Sequence, residues 1–74
     1  MKNFTAVFEE AEEGGYVAWL EEIPEAMSQG ETLEEAKANL LDAFKLLIET
    51  NREQAESELK GHVYIREAIP LAAV

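Results

Sequence analysis

The sequence contains no cysteine. Disulfides and thiolate-held metals are thereby excluded, and nothing covalent can staple the fold. It holds a single histidine, His62, and a single aspartate, Asp42. Few residue types are left for a nucleophile–base pair or a carboxylate metal site. Only six residues are Lys or Arg, against sixteen Asp and Glu, for a net charge of −10. Nucleic-acid binders neutralise phosphates with cations, so direct nucleic-acid binding by this chain is not expected. An anionic membrane surface would repel it for the same reason. No apolar run is long enough to span a bilayer. No apolar h-region follows Met1–Phe4, so no signal peptide is read and the expected compartment is the cytoplasm.

What is present is a short, ordered, acidic chain. Seventy-four residues leave room for one small domain, read over 1–74. The hydrophobic fraction of 47% falls in periodic segments, unlike the composition of a disordered chain. A chain this small buries only about 60% of its unfolded surface. Without staples, such chains gain stability by oligomerising or docking, and the charge favours a basic partner. The acidity is uneven: residues 1–37 carry ten carboxylates and two lysines, and residues 38–74 six carboxylates and four cations.

Periodicity predicts the elements. Phe4, Ala6 and Phe8 alternate with Thr5, Val7 and Glu9, which reads as a strand over Asn3–Glu10. The polar stretch ending in Gly14-Gly15 reads as a hairpin loop. In a return strand over Tyr16–Leu20, Tyr16, Ala18 and Leu20 face one way, and Val17 and Trp19 the other. Pro24 ends that strand, and Ala26–Gly30 reads as a third. Thr32-Leu-Glu-Glu35 is a capping box. After it, Leu33, Ala36, Leu40, Leu41, Ala43, Phe44, Leu47 and Ile48 share one face of a helix. Leu46 lies off that stripe, and the stripe weakens at Asn51. Arg52–Lys60 still favours helix, with Glu56 and Lys60 spaced to pair and Gly61 as the stop. His62–Ile69 reads as a final strand closed by Pro70, with Val63, Ile65 and Ile69 on one face, where Glu67 breaks the pattern, and His62, Tyr64, Arg66 and Ala68 on the other.

The expected fold is therefore α+β, in the order β-β-β-α-β: an antiparallel sheet with one long helix on one face. One helix covers one face only, yet the first two strands carry apolar groups on both. The uncovered face predicts self-association or partner docking.

Several motifs then fall into place. Phe8-Glu9-Glu10, the Gly14-Gly15-Tyr16-Val17-Ala18 hairpin, Ile23-Pro24, Ser28-Gln29-Gly30 and Thr32-Leu33-Glu34-Glu35-Ala36, followed by Asn39 and Ala43, resemble the HicB family of antitoxins. The similarity runs from about Phe4 to Glu49. The resemblance implies a partial RNase H-like fold. It also implies a partner, a small basic HicA-type toxin (an mRNA interferase) whose catalytic histidine the antitoxin masks. Two departures stand out. The family usually follows its proline with Gly-Cys, where this chain has Glu25 and Ala26. Many members also carry a C-terminal DNA-binding domain, and the residues after the helix here offer none, so operator binding is not expected of this chain.

The glutamates show no recognisable metal spacing, and Asp42 sits on the polar helix face, so a solvated acidic surface is read in place of a metal-dependent nuclease. His62 reads as a surface residue, because RNA would meet a strongly acidic protein around it. Ser28 and Ser57 have no histidine at a useful spacing, and Gly14-Gly15 follows acids and makes a poor phosphate cradle. No catalytic residue, cofactor or metal is expected. Trp19 can serve as core or as a binding hot spot. The candidate partner contacts are Glu9, Glu10, Glu12, Glu13, Trp19, Glu21 and Glu22, the glutamates forming an acidic rim that would steer a basic partner. A homo-oligomer, dimer or higher, is the second expectation; an orphan self-assembling module of the same fold is the alternative to the antitoxin reading.

Overall fold

The computed structural model describes residues 3–70. Met1 and Lys2, at the head of the segment read for a leader, lie outside the described residues. Three strands, β1 (Ala6–Glu10), β2 (Tyr16–Leu20) and β3 (Met27–Gly30), precede one helix, α1 (Leu33–Leu59). The strands form an antiparallel sheet in the order β1-β2-β3. The α+β class, the three-strand meander and the single long helix agree with the sequence reading.

The β1–β2 hairpin turns through Ala11–Gly15. The Gly14 amide donates to the Ala11 carbonyl, and the Ala11 amide to the Gly15 carbonyl, both at 3.0 Å. Gly14 and Gly15 hold φ of 100° and 79° there, a left-handed region that costs glycine nothing. At the opposite end, Glu21–Ala26 folds tightly around Pro24. The Ala26 amide donates to Ile23, and the Leu20 amide to the Ala26 carbonyl. Ala26 is buried to 1% exposure, so this departure from the family pattern places a small side chain in the core.

Helix α1 starts where its capping box predicts. The Thr32 hydroxyl accepts from the Glu35 amide at 3.1 Å, with Glu34 and Glu35 in the first turn. Such a cap contributes about 1 kcal/mol. The helix stops at Lys60–Gly61, where the His62 amide donates to the Leu59 carbonyl. The last turn itself holds no basic residue. Glu56, expected to pair with Lys60, lies instead 3.8 Å from Arg66 across an exposed ion pair.

The core is thin. Ala18, Leu20, Ala26, Ala36 and Leu40 are buried, with Phe4, Phe8, Tyr16, Ile23, Phe44 and Leu47 packed around them. Phe4 and Phe44 close one end at a ring separation of 5.2 Å. Three of the five buried side chains are alanines, which lets the helix sit close to β2 and β3. Leu46 is exposed, as its position off the stripe requires.

One element differs. The fourth strand expected over His62–Ile69 is not formed: residues 63–70 have no regular structure and are exposed. Strand geometry needs a neighbouring edge, and α1 carries this segment away from the sheet. Beyond Glu49 the helix buries almost nothing, and about 16 Å of its roughly 40 Å length overhangs the sheet. The radius of gyration is 15.7 Å, against about 11 Å for a compact chain of this length.

Candidate protein-docking surface

The sheet register sorts every strand residue onto one of two faces. Ala6, Phe8 and Glu10 of β1 stand opposite Leu20, Ala18 and Tyr16 of β2, and Ser28 and Gly30 of β3 continue those rows. This face receives the helix. On the other face, Val7, Trp19 and Met27 form one cross-strand row, and Glu9, Val17 and Gln29 the next. No element of the described residues covers this second face. Met27 is 56% exposed, and Val7, Val17 and Trp19 are half-buried by their neighbours. Four apolar side chains thus share one open sheet surface with a single charge, Glu9, among them.

The sequence-predicted contact residues divide around this surface. Glu9 and Trp19 lie on it, one row apart. Glu12 and Glu13 sit exposed in the hairpin turn at one end, and Glu21 at the end of β2. The five residues of β2 separate those ends by about 15 Å. Glu10 falls in the row of the helix-side face, because its neighbour Glu9 already points outward. Glu22 is engaged internally: its carboxylate accepts from the Thr5 amide at 2.7 Å. That backbone donor, followed by the Thr5 side chain, holds the Glu22 carboxyl below the usual range. Its stabilising contribution is therefore complete above the ordinary glutamate value of 4.5, and is lost as pH falls through the lower folded value. Glu22→Gln should accordingly lower the urea midpoint at pH 7, and the gap from wild type should close as the pH is taken towards 3. A constant gap would show that the carboxylate charge is not what Thr5 recognises.

The motif residues on the other side of the molecule prove to be joinery. The Asn39 side-chain amide donates to the Gln29 carbonyl at 2.8 Å, fastening α1 to the edge strand β3. Gly30 faces the backbone of Ala36, where a Cβ would lie 2.4 Å from the amide nitrogen. Together with the Thr32 cap, these contacts give Ser28–Asn39 a structural explanation. The role of Asn39 was not legible in the sequence, since a polar residue on a helix surface carries no sign of its acceptor. An open hollow of about 580 Å³ lies beside this junction, lined by Glu13, Tyr16, Gln29, Glu31, Glu35 and Asn39 among others. Among the described residues, no group of three His, Asp or Glu side chains is placed to hold a metal, and no helix is long and apolar enough to cross a membrane.

Comparison with known proteins supplies the family. The chain is 51% identical over 51 residues to the UPF0150 protein ssl0738 of Synechocystis sp. (strain PCC 6803), a match covering 69% of this chain and 71% of that one. The chain belongs to the UPF0150 family. This is the HicB-like family that the motifs from Phe4 to Glu49 resemble. No family model matches the chain, and no solved structure does. The UPF0150 assignment places the chain in a small-protein family compatible with a toxin–antitoxin role.

Proposed function

We propose that this UPF0150 protein is the antitoxin of a type II toxin–antitoxin pair. It acts in the cytoplasm by docking on a basic HicA-type mRNA interferase and covering its active site, with no chemistry of its own. The observation that carries this reading is the open sheet face of Val7, Val17, Trp19 and Met27, bordered by Glu9, Glu12, Glu13 and Glu21. An apolar centre with a charged border is the usual anatomy of a docking surface. A border of one sign selects a partner of the other, and the toxins implied by the HicB resemblance are basic. The partial RNase H-like character belongs to the same reading.

The test is co-expression with the small basic protein encoded beside it. Co-elution at fixed stoichiometry and rescue from toxin-induced growth arrest are expected. Raising salt from about 0.1 to 1 M shortens the screening length from about 10 to 3 Å, so association should slow by about tenfold or more. A neighbouring toxin that neither binds nor is neutralised would sink the proposal. The same open face supports a second reading, a self-assembling module without a toxin, in which Trp19→Ala lowers the mass of the free protein in light scattering.

A further inference from the structure

Two features of the molecule fit each other but do not meet within one chain. The first is the segment after α1. Val63, Ile65 and Ile69 are 106%, 92% and 73% exposed, β-branched residues on one face of an extended segment, interrupted by Glu67, with no sheet to join. The second is the free edge of β1. The Glu21 amide donates to the Thr5 carbonyl, which makes Thr5 a hydrogen-bonded partner of β2. By the alternation of antiparallel pairing, Val7 and Glu9 also point their backbone groups at β2, while Ala6, Phe8 and Glu10 point theirs outward. Beside that edge, on the helix side, runs a mostly apolar groove of about 300 Å³ lined by Phe4, Ala6, Leu20, Leu40, Leu41 and Phe44, with Asn3 and Lys37 also in its wall. The groove exists because α1 packs mainly over β3 and β2 and only lightly over β1; Ala6 and Leu41 remain exposed at its rim.

A strand laid along β1 would satisfy the edge and drop alternate side chains into this groove. The chain's own tail falls short of it. Leu59 lies about 22 Å along the helix from Phe44. Val63 and Ile65 are four and six residues beyond Leu59, a reach of about 14 and 20 Å when fully extended. In the structure Arg66 lies 3.8 Å from Glu56 across an exposed pair, which leaves the tail beside the overhanging end and away from the groove.

We propose that the β1 edge and its groove receive Val63–Ile69 of a second copy, in a reciprocal exchange that makes a two-fold dimer. The overhang of α1 is then the arm that delivers the tail to the neighbour. Charge tolerates this occupant: Val63–Ile69 holds one cation, Arg66, and one anion, Glu67, and is neutral, whereas the edge carries Glu9 and Glu10 and the groove wall Lys37. In a chain of net charge −10, this tail is among the few segments that can approach that edge without repulsion. The exchange uses neither Trp19 nor the rest of the open face, and stands or falls apart from the toxin-docking reading.

Sedimentation of the full chain at about 50 µM should give twice the mass of the 8.3 kDa protomer. Ile65→Asp touches nothing within its own chain, and Leu41→Asp alters only the groove rim. Each should raise the dimer dissociation constant by about 30-fold or more while leaving helical circular dichroism intact. Trp19→Ala should leave the dimer unchanged. A monomeric wild type, a dimer that survives Ile65→Asp, or one dissolved by Trp19→Ala alone would each overturn the exchange; the last result would place self-association on the open sheet face.

Discussion

Replacing Gly30 with alanine is expected to lower the unfolding free energy by about 3 kcal/mol, the upper end for overpacking a tight contact. A Cβ built at Gly30 would lie 2.4 Å from the Ala36 nitrogen, 2.8 Å from the Glu35 carbonyl carbon and 2.9 Å from the Ala36 Cα. All three are backbone atoms in the first turns of α1, so no side chain can rotate away. The helix must lift from β3, and lifting it opens the space over Ala18 and Ala36, both fully buried. A domain of this size holds roughly 4–11 kcal/mol in all, which makes the loss a large share. Urea unfolding followed by circular dichroism measures it. A midpoint within error of wild type would mean that the α1–β3 contact yields freely, and the packing account would be wrong.

Trp19→Ala should have the opposite profile. Trp19 stands between Val7 and Met27 on the open sheet face. Its loss removes cross-strand contacts worth about 0.5–1 kcal/mol and leaves the helix-side core untouched. In the proposed antitoxin role, toxin binding should in contrast weaken by about 30-fold or more, the effect of truncating a central aromatic anchor. Calorimetric titration with the toxin and urea unfolding of the free protein separate the two effects. Unchanged affinity would remove Trp19 and the face around it from the docking surface.

Much of this was legible because the informative residues act locally. The alternation over Tyr16–Leu20 gave the bounds of β2 and sent Val17 and Trp19 to the face without the helix. Thr32 announced the start of α1 through a hydroxyl and an amide three residues apart. Failures came where the deciding partner was distant. Val63, Ile65 and Ile69 have the pattern of a strand, but a pattern does not record how far the preceding helix carries it from the nearest edge. The sequence reading did mark Asn51 as the point where helix packing weakens, but did not turn this into an overhang. Strand β1 begins at Ala6 rather than Asn3, in part because the Thr5 amide is taken by Glu22 from 17 positions away. Of the candidate contacts, Glu9 and Trp19 share the open face. Glu10 was placed beside Glu9 by sequence adjacency, which in a strand means opposite sides.

The helix also divides into two regimes of cooperativity. From Leu33 to Ile48 it is held by the sheet, and its amides can exchange with solvent only when the domain itself opens. From Glu49 to Leu59 it is an eleven-residue extension, shorter than the roughly 12–15 residues that an isolated helix needs in water. This half is helical because the first half nucleates it. Its hydrogen bonds should therefore fray progressively from Leu59 backwards, with protection rising towards the sheet turn by turn. Anything that grips the far end gains an extended lever on the whole domain: ordering the last three turns would suppress fraying along the helix that covers the core.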